Sequence, residues 1–362
     1  MKKINIYKGA LLLTLAAFIA IIIQVFRGEL SQSGPLIVGF FVLFAIGVSG
    51  YKYMKTYVFT ILIFAGVALA LYYPHYFIKI GSFELKLLII PLIQIIMFGM
   101  GASMSFKDFG TIFKSPKGVI VGVSAQLGIM PIIGFALAKF SNLPPEIAAG
   151  IVLIGCSPSG VASNVMAYLA KANLALSITI TTIATLIAPF VTPLLMSLLA
   201  GEFVEIDVLN MMWSIVKMIL LPIGAGLLFN MLLGKRATWL NKAMPMVSML
   251  AIGFIIIIIT AKGRDSLLEI GGILILIVLI HNLFGYFLGY WYAKLMKLSE
   301  QDARTIAIEV GMQNGGLASG IAISLNKVAT MGLAPAVFGP LMNITGSMLA
   351  SHWQKKPPVK TK

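Results

Sequence analysis

Charge is what this chain has least of. Asp, Glu, Lys and Arg make up 11% of its 362 residues, and only 12 residues are acidic. Soluble domains carry roughly 25% charged residues. So few charges cannot cover a water-facing surface of this size, which excludes a soluble globular protein. There is one cysteine, Cys156. No intramolecular disulfide can form, and no thiolate cluster can hold zinc or an iron–sulfur centre. The three histidines, His75, His281 and His352, lie far apart, and the chain has no HExxH, P-loop or GxSxG motif. An enzyme has no catalytic constellation here, a membrane receptor has no soluble domain, and no cofactor is called for.

What is present is apolar. Hydrophobic residues reach 59% and the mean hydropathy is +0.99, so lipid is the solvent. The formal net charge is +15, but the basic residues fall in short clusters between apolar runs rather than along one polar face. That pattern argues against a nucleic-acid partner. Lys2, Lys3 and Lys8 resemble the charged start of a signal peptide. The apolar run Gly9 to Phe26 is, however, 18 residues long and is followed directly by Arg27, with no small-residue cleavage signature. It reads as a retained first span.

A membrane helix needs about 20 mainly apolar residues. Twelve segments qualify: 9–26, 35–51, 56–78, 87–105, 118–139, 147–169, 173–200, 208–233, 244–261, 270–293, 304–325 and 332–353. The second is short, and the sixth and eleventh are interrupted by Gly and Pro. Threading them alternately through a bilayer puts 19 of the 27 Lys and Arg residues in loops and ends on one side and seven on the other, with Lys217 inside a span. The richer side is expected to be cytoplasmic, so both termini lie inside a multi-pass protein of the cell inner membrane.

Two segments resemble each other at a spacing of 156 residues. The pairs Gly155/Gly311, Gly160/Gly316, Ala162/Ala318 and Ser163/Ser319 are identical. Five spans separate the two segments, so they cross the membrane in opposite directions. This is the signature of an inverted repeat, 56–200 and 208–353, with a two-helix extension at 1–55 and a tail at 354–362. Broken helices at matching positions of inverted repeats mark transporter binding sites. Pro158 removes a backbone donor, and Gly160, Gly315 and Gly316 favour non-helical torsions. The half-helix N-termini suit an anion, and the unwound carbonyls suit a cation.

Glu309 is the acid placed within a span, directly before Gln313 and Asn314. Burying it costs about 2.5–3.5 kcal/mol on insertion scales. With its neighbours it forms a hard-oxygen set that suits a group IA or IIA cation, or it carries a proton. Its bland alternative is an ion pair with Lys217. The seventh span is hydroxylated, and Ser177 and Thr181 share one face of it. Gln126 is a lone amide in the fifth span, where it either joins an oxygen cage or makes an interhelical hydrogen bond. Cys156 opens the first broken motif and is expected to be alkylated from one aqueous side, unless it merely packs.

These marks resemble the bile acid:sodium symporter family from about Tyr57 to Gln354. They are MFGMG (97–101), PSGVASN (158–164), ALSITIT (175–181), SIVKMILLP (214–222), HNLFGYFLG (281–289), IEVGMQNGGLA (308–318) and NITGSMLASHW (343–353). The resemblance implies an all-α polytopic membrane protein. Ten helices in two inverted repeats would form a core domain and a panel domain, with two extra N-terminal transmembrane helices. It implies two sodium ions, one held by Ser163, Asn164, Ser177, Thr181 and Glu309. The other would be held by Gln126, Glu309, Gln313 and the main-chain oxygens of Val310 and Met312. It also implies a substrate-facing set of Asn314, Ser159, Gly160, Val161, Met342 and Asn343. The family's Thr is Val161 here, and its Trp-His is Leu341-Met342. Both departures remove polar or aromatic contacts and point from bile salt toward a smaller carboxylate. The resulting expectation is sodium-coupled import of an organic anion by alternating access. The alternative is a sodium-independent or proton-linked carrier of a pantoate-like carboxylate.

Overall fold

The computed structural model describes residues 2–51, 54–104, 116–234, 238–356 and 358. Of the basic residues used above for orientation, Lys52, Lys107, Lys114, Lys235, Arg236, Lys360 and Lys362 lie outside the described residues, as does most of the 354–362 tail. The fold is helical throughout. One two-residue-per-strand hairpin, β1 (Lys79–Ile80) and β2 (Phe83–Glu84), turns through Gly81, whose φ is +59°.

The helices in chain order are α1 (Lys2–Phe26), α2 (Gly34–Ser49), α3 (Val58–Tyr72), the single turn α4 (His75–Ile78), α5 (Ile89–Ser103), α6 (Pro116–Phe140), α7 (Pro145–Cys156) and α8 (Ala162–Leu169). They continue as α9 (Leu174–Ala200), α10 (Val208–Ile215), α11 (Leu221–Leu233), α12 (Thr238–Lys262), α13 (Arg264–Leu295), α14 (Glu300–Gly311), α15 (Gly315–Ser324) and α16 (Leu333–Lys355). A π-helical segment, Val216–Leu220, joins α10 to α11, so that Val208–Leu233 forms one span. Among the described residues nine helical stretches are long and apolar enough to cross a membrane. The other three expected segments are the short α2 and the two interrupted ones, α7–α8 and α14–α15.

Helix packing falls into two groups. α12 packs on α3 and α5, and α5 on α11; α6, α7, α9, α13, α14 and α16 form the second group, from which α16 also reaches α12 and α3. The closest approach in the first group is between α5 and α11. A Cβ on Gly101 would sit 2.1 Å from the Ile223 carbonyl oxygen, and one on Gly226 would sit 2.1 Å from that of Phe98. Only glycine at both positions lets these backbones touch, the usual means of helix contact where lipid supplies no hydrophobic drive. α15 bridges the groups by packing on both α5 and α16. The extension α1–α2 packs on α3 through a small separate cluster around Ala45, Val48 and Ile61.

The two breaks meet in the middle of the second group. Helix α7 ends where Ser157 turns extended (φ −78°, ψ 150°) ahead of Pro158, and α14 ends at Met312 (φ −112°, ψ 99°). The chains between the half-helices run antiparallel and pair at Ser159 and Gln313. Gly160 N–H donates to Met312 O at 2.9 Å, and Asn314 N–H donates to Pro158 O at 2.8 Å. Each break thus satisfies backbone groups that the other could not leave bare in lipid. The strands lie so close that a Cβ on Gly160 would stand 2.9 Å from Gln313 O.

Candidate cation and substrate site

Four side chains, from the first break, α8 and α9, converge on Glu309, which is fully buried near the end of α14. Ser163 and Ser177 donate to its Oε1 at 2.6 and 2.5 Å, and Ser159 and Thr181 donate to its Oε2 at 2.6 and 2.7 Å. Ser177 and Thr181 are one turn apart on α9, so both hydroxyls reach the same carboxylate. The Ser177 hydroxyl also lies 2.8 Å from Asn164 Oδ1. One hydroxyl proton cannot serve both acceptors fully. The cluster is therefore rich in oxygen lone pairs and poor in protons, and Glu309 makes no ion pair among the described residues.

Ser163, Asn164, Ser177, Thr181 and Glu309 are brought together by these contacts. Ser159, assigned by resemblance to the substrate face, lies inside this cage and is fully buried. The antiparallel bridge turns its side chain toward α9, a direction that sequence spacing does not carry. Lys217 is not the partner of Glu309. Its ammonium lies over the Trp213 ring at 6.0 Å, and its main-chain oxygen accepts a hydrogen bond from Gln94.

A second oxygen set lies beside the first. Gln126 donates from Nε2 to Ser157 O at 3.1 Å and to Gln313 Oε1 at 2.8 Å. Gln313 Nε2 donates to Val310 O at 2.6 Å, and Met312 O accepts from Gly160 as described. Gln126 makes the interhelical hydrogen bond that was its plainer alternative. Its Oε1 is nonetheless buried with no donor. A bare buried acceptor on an amide that touches Gln313 and the Ser157 carbonyl suits a hard cation. Both Glu309 oxygens are engaged by the hydroxyls of the first set, and no hydrogen bond links Glu309 to Gln126 or Gln313.

The substrate-facing residues divide. Asn314 Oδ1 caps α15 by accepting from Leu317 N–H at 3.0 Å. Val161 precedes α8 without any side-chain cap and is 43% exposed; the N–H groups of Ser163 and Asn164 donate instead to the Gly160 and Val161 carbonyls. Met342 is buried on α16, and its carbonyl accepts from Tyr286 Oη at 3.3 Å; Asn343 beside it is half-buried. Cys156 corrects an expectation. It is the last residue of α7, 1% exposed and packed in the core, so no aqueous side reaches its thiol in this conformation.

Sequence reasoning missed the residues that hold the half-helices in place. Thr192 Oγ1 donates to Cys156 O at 2.8 Å, and Asn282 Nδ2 donates to Gly311 O at 2.8 Å. These are the last carbonyls of α7 and α14, which a helix end leaves without partners. Asn282 is in turn fixed by Thr345, which donates to its Oδ1 at 2.6 Å. Two end latches were also invisible. Asn173, ahead of α9, pairs with Asp302 and Thr305 in the first turns of α14. Lys327 and Thr330, beyond α15, pair with Glu146 in the first turn of α7. Their hydrogen bonds, that of Lys327 foremost, hold the Glu146 carboxyl below the usual carboxylate range. Arg304 is buried in α14 and ties its first turns to the end of α16 through the Trp353 and Lys356 carbonyls.

A family model for the sodium bile acid symporter family matches residues 90–270. A Bacillus subtilis (strain 168) protein named "Uncharacterized sodium-dependent transporter YocS" is 41% identical over 303 residues, covering 83% of this chain and 92% of that protein. Two plant proteins are named "Probable sodium/metabolite cotransporter BASS1, chloroplastic". The one from Arabidopsis thaliana is 31% identical over 74% of this chain and 66% of its own length. The one from Oryza sativa subsp. japonica is 32% identical over 83% of this chain and 73% of its own length. The chain is thus a multi-pass transporter rather than an enzyme, and it belongs to the sodium bile acid symporter family.

Proposed function

We propose that this protein is a sodium-coupled symporter that imports a small organic anion by alternating access. The observation that carries the reading is Glu309, a buried carboxylate ringed by four hydroxyls and without a basic partner among the described residues. An uncompensated buried charge costs several kcal/mol. Four charge-assisted hydrogen bonds offset part of that cost, and a bound monovalent cation removes the rest. Ser163, Asn164, Ser177, Thr181 and Glu309 would hold one sodium ion. Gln126 and Gln313, with the main-chain oxygens of Val310 and Met312, would hold a second beside Glu309. The bare Gln126 Oε1 supports that second position. The names of the relatives, a sodium-dependent transporter and sodium/metabolite cotransporters, agree with this coupling.

The anion would be received at the N-terminus of α8, which no side chain caps and where the helix dipole favours negative charge. Asn314 stands across the bridge from it. The nearby Val161 and Met342 supply apolar surface and no hydroxyl, which suits a compact carboxylate. The antiparallel meeting of two similar broken segments supports the inverted repeat 56–200 and 208–353, with 1–55 as an extension. The surplus of basic residues in one set of loops supports cytoplasmic termini. Uptake of labelled carboxylates into vesicles under an imposed sodium gradient tests the proposal. Uptake of equal rate with potassium in place of sodium, driven instead by a proton gradient, would replace it with the proton-linked carrier.

A further inference from the structure

Three buried side-chain atoms among the described residues lack a hydrogen-bond partner: Gln126 Oε1, His281 Nδ1 and Thr185 Oγ1. The first belongs to the amide pair already described. Thr185, on α9 and 1% exposed, has no role in anything above. A threonine inside a helix ordinarily turns its hydroxyl onto the carbonyl four residues back, as Thr179 does onto Ala175 at 2.8 Å. Thr185 does not. Its own carbonyl is also deprived of its helical donor, because the residue four positions on is Pro189, which has no N–H. One residue therefore presents an unpaired hydroxyl, and a carbonyl without its usual helical donor, in the middle of a membrane helix, where bare polar groups are costly.

Its position is as specific as its chemistry. At about 100° per residue, Thr181, Thr185 and Thr192 fall within about 40° of one another around α9. Thr181 binds Glu309, and Thr192 binds the Cys156 carbonyl where α7 breaks. Thr185 lies between them on the same face, about 6 Å along the helix from Thr181. It faces the first break one turn beyond the cage.

We propose that Thr185 is an outer sodium position: its hydroxyl and main-chain oxygens hold a partly hydrated sodium ion one helical turn from Glu309, on the way into and out of the cage. This rests on the sodium reading above. Both donors are hard and neutral, so they replace water molecules of the ion's shell without trapping it. The Glu309 carboxylate supplies the attraction that draws the ion inward.

The test uses the full chain purified in detergent, with sodium titrated against potassium at fixed ionic strength and the thermal unfolding midpoint followed. Thr185→Val is nearly isosteric and lacks the hydroxyl. It should raise the half-saturating sodium concentration about three- to tenfold, the size of one neutral polar interaction. Thr185→Ser should stay within about twofold of the parent. Thr185→Ala serves in place of Val if that variant does not fold, with the same expected shift. A Val or Ala variant with unchanged half-saturation would overturn the proposal and leave Thr185 a merely unsatisfied hydroxyl. Ser177→Ala separates the two readings. If it shifts the sodium midpoint while Thr185→Val does not, only the outer position falls; if neither shifts it, the cage reading falls as well.

Discussion

Replacing Glu309 with Gln keeps the shape of the side chain and removes its charge. The parent carboxylate is fully buried and engaged by four hydroxyls. In sodium-free buffer the mutant should lose charge-assisted hydrogen bonds but also lose the cost of an uncompensated buried charge. Its unfolding midpoint there should equal or exceed that of the parent. With sodium the order should reverse. At a sodium concentration 100 times its Kd, the parent gains about 2.7 kcal/mol of stability by mass action. Removing one partner of a buried ion pair costs about 3–5 kcal/mol, which is a loss of sodium affinity of at least about a hundredfold. The mutant should therefore show no sodium-dependent stabilisation at concentrations that saturate the parent, and no sodium-driven uptake. The assay is thermal unfolding across a sodium series at constant ionic strength, with vesicle uptake in parallel. A Gln variant with the parent's full sodium-induced rise in midpoint, or with full sodium-driven uptake, would refute the argument that this carboxylate holds the ion.

Three further outcomes follow from the same geometry. Asn164→Ala should weaken sodium and carboxylate binding together, because ordering of the two breaks links the sites; the coupling should be about 1–3 kcal/mol and reciprocal, and calorimetric titration of each ligand with and without the other measures it. Asn282→Ala leaves the Gly311 carbonyl bare and should destabilise the protein by about 1–3 kcal/mol, read as a lower unfolding midpoint both with and without sodium. The Glu146 latch has a folded-state carboxyl below its ordinary value, chiefly through Lys327; its contribution is present above the unfolded value and is lost as pH falls through the lowered one. The loss of stability on acidification should therefore be smaller in Glu146→Gln than in the parent, as shown by unfolding midpoints from neutral pH to about pH 3.

Much of this molecule is determined by composition and periodicity alone. A chain with 11% charged residues and twelve apolar runs must place them in lipid, because no other arrangement buries that surface. Apolar runs of about 20 residues in lipid in turn select helices, which satisfy every backbone group within their own segment, over the shorter alternating strands of a closed barrel. The first break was legible because Pro158 cannot continue a helix and Gly160 disfavours one; the second falls ahead of Gly315 and Gly316, which are helical and open α15 rather than interrupting it. Glu309 stood out as an acid in an apolar run, and the one-turn spacing of Ser177 and Thr181 put both on one face. What spacing along one helix cannot carry is which side chain of another helix lies opposite. The tertiary structure decided that Ser159 turns toward Glu309 and that Gln126 meets Gln313. It also decided that Thr192 and Asn282 close the ends of the half-helices, and that Lys217 lies on Trp213 rather than on Glu309. Apart from that of Lys217, these contacts join residues from 29 to 187 positions apart and depend on the close crossing of two unwound strands. That crossing is set by the packing of whole helices, and no local pattern encodes it.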